Sequence, residues 1–68
     1  MLMQDVLDLI VMDAKAHGGI SVYPAFVQAN PEIDPRLICD AIREMDRSGM
    51  AMVRYADNEP LTVTVNNR

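Results

Sequence analysis

At Gly49 the hydrophobic period of this chain changes from that of a helix to that of a strand. Before it, apolar residues recur three and four positions apart. After it, Ala51, Val53 and Tyr55 alternate with Met50, Met52 and Arg54. Beyond the turn-forming stretch Asp57-Asn58-Glu59-Pro60, Leu61, Val63 and Val65 alternate with Thr62, Thr64 and Asn66. Helices followed by two short alternating runs specify an α+β domain that ends in a hairpin, with strands over 50–56 and 61–66 and a four- to six-residue loop. A lone hairpin is marginal in water, so one of its faces must pack against the helices.

Three helices precede the switch. The first is expected over 2–17, with Met3, Val6, Leu7, Ile10 and Ala14 on one face and Gly18-Gly19 as its stop. A short extended piece at Ile20-Ser21 follows and is available as a third strand. Ser21 is placed as the N-cap of a second helix over 22–29, in which Pro24 occupies the first turn and Ala25, Phe26 and Ala29 form the buried side. Asn30-Pro31 ends it. The third helix, 35–48, has the clearest boundaries: Asp34 as cap, Pro35 at the first position, and Gly49 after the last turn. Leu37, Ile38, Ala41, Ile42 and Met45 make its apolar face, with Phe26 and Ile42 expected at the centre of the core. Arg36, Asp40, Arg43 and Arg47 line the opposite face.

The chain has 68 residues, one domain's worth, with no linker or repeat. Its few aromatics make the core aliphatic, and the six methionines are expected to fill gaps in it, Met1 apart; the other use of methionine is an adaptable binding surface. Cys39 is the single cysteine, which excludes an internal disulfide and suits a reducing compartment. The N-terminal stretch carries acids in place of a basic signal region, and Asp5, Asp8 and Asp13 interrupt its apolar run. A cytoplasmic protein without a membrane span is therefore expected.

Catalysis is not expected. His17 and Cys39 do not make a zinc site or an activated nucleophile, and no phosphate-binding glycine loop is present. No cofactor is implied.

The order of elements resembles the winged helix-turn-helix family. "GGISVYPAF" resembles that family's short strand leading into helix two, "IDPRLICDAIREMDRSGMAMV" its third helix and first wing strand, and "RYADNEPLTVTV" its wing. The resemblance spans nearly the whole chain and rests on order and spacing. It implies a single domain over 1–68, three helices plus a C-terminal two- or three-stranded antiparallel wing. It also implies a DNA-binding regulator in which helix three enters the major groove of double-stranded DNA, with Arg36, Arg43 and Arg47 as contacts and Arg54 at the wing base.

Two features depart from that pattern. The net charge is −4, and the hairpin tip carries Asp57 and Glu59 with no basic residue. A protein-interaction module on the same scaffold is the alternative. The arginine stripe also has the spacing of surface ion pairs, Arg36 and Arg43 with Asp40 and Arg47 with Glu44. Finally, helix one carries more apolar surface than one small core needs. Leu2, Leu9, Val11 and Met12 are thus expected to form a two-fold dimer interface.

Overall fold

The computed structural model describes residues 1–65; Asn66, expected in the last strand, lies outside the described residues. The chain is α+β: helices α1 (Met3–Ala16), α2 (Tyr23–Ala29) and α3 (Pro35–Arg47), and strands β1 (Ile20–Val22), β2 (Ala51–Ala56) and β3 (Glu59–Val65). The three strands form one antiparallel sheet in the order β1-β3-β2. The short piece at Ile20 is thus a true strand, pairing Ile20 with Thr64 and Val22 with Thr62.

Helix α3 starts as its sequence dictates. The Asp34 carboxylate accepts the Arg36 backbone N–H at 2.9 Å, and Pro35 fills the first position. Helix α1 ends where Gly18 and Gly19 both take positive φ, which lets the Gly19 N–H reach back to the Ala14 carbonyl at 2.7 Å. Helix α2 starts differently from the expectation. Its cap position is Val22, without a side-chain bond, and the Ser21 hydroxyl instead donates to Asp13 Oδ2 at 2.6 Å. Ser21 faces inward from β1 and is buried, so its hydroxyl needs a partner inside the fold, and α1 supplies one.

The helices cover one face of the sheet. Val6 and Ile10 of α1, Ile38, Ile42 and Met45 of α3, and Val63 of β3 are fully buried together, and Phe26 joins them from α2. Within the expected helical faces, Met3 is exposed and Leu37 only half-buried. In α2, Ala25 and Ala29 are exposed, while Tyr23 and Val27 pack beside Phe26.

The hairpin is tighter than its turn chemistry suggested. The connection is the two-residue turn Asp57-Asn58, both with left-handed φ (53° and 67°), the mirror-image turn that matches strand twist. Strand β3 therefore starts at Glu59. Between Arg54 and Tyr55 the register shifts, because Arg54 pairs with Thr62 and Tyr55 with Pro60. Leu61 is the extra residue of this bulge, which is why it is exposed while Pro60 points inward.

Methionine usage reverses the expectation. Met45 is buried completely, but Met1, Met3, Met12, Met50 and Met52 are exposed, Met52 by 71%. The aliphatic core closes without them.

Candidate functional site

The three arginines of α3 lie on its outer side, next to the hairpin, and all are exposed. Two have defined partners. The Arg43 guanidinium donates to the Asn58 carbonyl at the turn, 3.0 Å away, and sits 5.7 Å from the centre of the Tyr55 ring. Tyr55 in turn donates its hydroxyl to Asp46 at 2.9 Å. Burial, then the Asp46 carboxylate, raise the Tyr55 hydroxyl above its ordinary pKa, and Arg43 pulls the other way. Together Arg43, Tyr55 and Asp46 fasten the hairpin tip to α3. Arg47 forms the expected ion pair with Glu44. Among the described residues, neither Arg36 nor Arg43 forms the expected pair with Asp40.

Arg54 is not brought to this surface. It alternates with Val53 and Tyr55, whose side chains face the helices, so it stands on the outer face of the sheet beside Met52. The four arginines are therefore divided between two surfaces.

The expected dimer residues of α1 are divided as well. Leu2 and Met12 are exposed, by 73% and 66%, whereas Leu9 and Val11 are half-buried against the core. On a helix, Leu9 and Val11 lie roughly 160° apart, so they border the buried face from opposite flanks. The free apolar surface of α1 is narrower than expected.

A second region has no counterpart in the sequence reading. Asp13 near the end of α1 accepts from Ser21, and His17 Nδ1 lies 2.7 Å from the Asp13 backbone carbonyl and 3.4 Å from its carboxylate. A carbonyl only accepts, so Nδ1 is the donor in that contact. Asp13 and His17 form the rim of a groove of about 370 Å³, whose apolar walls are Ile20 and Val22 on the outer face of β1 and Ala25, Phe26 and Ala29 on α2. The exposure of Ala25 and Ala29 makes this groove. Alanine fits either face of a seven-residue helix, and that is why the sequence did not reveal it.

On the other side of α2, the Cys39 thiol hydrogen-bonds Tyr23 Oη at 3.1 Å. That bond, burial, and the neighbouring Glu59 carboxylate push the Tyr23 hydroxyl up to about 12. Among the described residues, no group of three His, Cys, Asp or Glu side chains is placed to hold a metal ion, and no helix is long and apolar enough to cross a membrane.

No family model matches the chain, and neither do any curated proteins or solved structures.

Proposed function

We propose that the chain is a winged helix-turn-helix domain whose task is to bind another protein. The observation that carries this reading is the exposure of five of its six methionines, together with Leu2, Ile20, Val22 and Leu61. A small acidic domain that keeps flexible apolar side chains in water forgoes stabilisation at each of them, and adaptable methionine surfaces serve protein recognition.

Electrostatics points the same way. Helix α3 and the hairpin tip carry Arg36, Arg43 and Arg47 against Asp40, Glu44, Asp46, Asp57 and Glu59. Duplex DNA presents one negative charge per about 1.7 Å of axis, and affinity for it comes largely from neutralising phosphates. This surface is net negative, and Arg43 and Arg47 are already paired within the domain. A titration against random-sequence duplex DNA at two salt concentrations tests the reading. No binding with a linear log–log salt dependence is expected, and such a slope would overturn it.

A DNA-binding regulator is the second reading. It is favoured by the exposure of Arg36, Arg43 and Arg47 on one helix beside a hairpin. It requires Arg43 to leave Asn58 and Arg47 to leave Glu44. On this reading, Arg43→Ala or Arg47→Ala weakens DNA binding by about 1–3 kcal/mol, or reduces the salt slope by about one.

A further inference from the structure

We propose that the groove between the end of α1, the outer face of β1 and α2 is the docking site for a cationic amphipathic helix of a partner protein. This inference rests on the protein-binding reading and names the partner's chemistry.

The groove's shape and lining come first. Its walls are apolar, and the small side chains Ala25 and Ala29 sit one turn apart on α2, open to solvent. Between them and the β1 side chains Ile20 and Val22, both more than 40% exposed, an aliphatic side chain is taken out of water on several sides. The volume of about 370 Å³ is that of a few side chains.

The charge pattern selects the occupant. Asp13 stands on the groove rim; Ser21 donates to one of its oxygens and His17 Nδ1 lies 3.4 Å from the other, which leaves acceptor capacity on a carboxylate that takes about four hydrogen bonds. Asp5, whose carboxylate accepts the Leu2 N–H through one oxygen at 3.1 Å and is otherwise exposed, lies two turns back along α1, about 12 Å away along the axis. On the helix, Asp5, Leu9 and Asp13 fall within roughly 80° of one another, with Leu9 in the middle. The flank leading into the groove thus reads acid, leucine, acid. A helix laid along it meets this pattern with basic residues about two turns apart on either side of an apolar residue. The chain's net charge of −4 steers such a partner in.

The same pattern disfavours a second copy. Antiparallel pairing of α1 with itself along this flank, about a two-fold axis at Leu9, brings Asp5 of one copy beside Asp13 of the other, with Lys15 as the only cation within the helix. Like charges brought together at an interface are costly.

The probe is a synthetic helical peptide of about four turns. It carries a leucine stripe, flanked by lysines two turns apart; its twin carries glutamate in place of lysine. Both are titrated into the full chain while backbone amide shifts are followed by NMR. The lysine peptide is expected to bind, with shifts concentrated at Asp13, Ile20, Val22, Ala25 and Ala29, and the twin to bind at least about tenfold more weakly. Ala25→Gln with Ala29→Gln, both at exposed helical sites, is expected to abolish binding without moving the thermal midpoint. Asp13→Asn keeps an acceptor for Ser21 and removes the charge; it is expected to weaken binding about three- to tenfold.

Equal binding of the twin, no binding of the lysine peptide, or a two-fold dimer in sedimentation whose formation is abolished by the Ala25→Gln, Ala29→Gln pair would each overturn the groove assignment. Shifts confined to Arg43, Tyr55 and Asn58 would overturn the groove and leave the protein-binding reading intact. Salt-dependent DNA binding alongside an unchanged peptide result would overturn that reading and leave the groove standing.

Discussion

The two sides of this domain treat their polar groups differently. On the α3–hairpin side, charged groups are tied to partners within the fold: Arg43 to the Asn58 carbonyl, Asp46 to the Tyr55 hydroxyl, Arg47 to Glu44. On the α1–β1–α2 side, Ser21, His17 and Asp13 meet at one corner, Asp5 and Asp8 accept from Leu2 and Gln4 near the start of α1, and apolar side chains are left facing water. The first pattern consumes binding capacity to hold a hairpin in place. The second holds a short strand with one buried hydroxyl and leaves a groove beside it. A charged side chain is available to a ligand only to the extent that the fold has not already engaged it, and Arg43 and Arg47 are both engaged.

The contrast is tested first by removing what both sides share. Ile42 is buried in the common core, and Ile42→Ala is expected to cost about 2–5 kcal/mol, a large part of the stability of so small a domain. Chemical denaturation checks it, and both sides are expected to lose hydrogen-exchange protection together. Loss on one side alone would mean that the two regions are separate cooperative units.

Ser21→Ala acts on the groove side. It removes a hydrogen bond to the partly exposed Asp13 carboxylate, with an expected loss of about 1–2 kcal/mol. Exchange should quicken at β1 before it does at the hairpin tip. Arg43→Ala acts on the other side, and because the contact is exposed its expected cost is about 0.5–1 kcal/mol. Amides around Asp57 and Asn58 should exchange faster while the groove residues keep their protection. A uniform response to either variant would erase the distinction.

The last effect is confined to alkaline solution. Tyr23 has an ordinary pKa of 10.0 that rises to about 12 in the folded chain, so the unfolded chain gives up this proton first as pH rises. Its contribution is complete below pH 10 and is lost as pH climbs from 10 through about 12. Tyr23→Phe should remove that portion of the alkaline loss in pH-dependent denaturation. An unchanged alkaline profile would place the titrating group elsewhere.

Much of this was legible in the residues, for identifiable reasons. Asp34-Pro35 and Gly49 are local signals whose physics acts within one turn of chain, and the boundaries of α3 follow from them directly. The hairpin followed from alternation, but its loop length did not. Asp57 and Asn58 both tolerate left-handed φ, yet only the pairing of Ala56 with Glu59 makes them a two-residue turn. Ser21 has the chemistry of a helix cap and the position of a buried strand residue, and the partner that decides between them, Asp13, is distant in sequence. The methionines failed for a related reason. Their side chains suit a core and a surface equally, and burial at these positions is set by how completely Leu, Ile and Val fill the space.

The place of β1 has a consequence for the order of assembly. Its three residues pair with β3, not with the chain next to them, so Ile20 must find Thr64 across the whole of α2, α3 and the hairpin. A strand this short has no stability of its own, and closing so long a loop costs entropy before any contact repays it. During synthesis the N-terminal half emerges first, before the strand that its helices pack against. The sheet can close only once residues 62–64 arrive. The last strand made is the central one, and the moment it docks should be the rate-limiting event in folding.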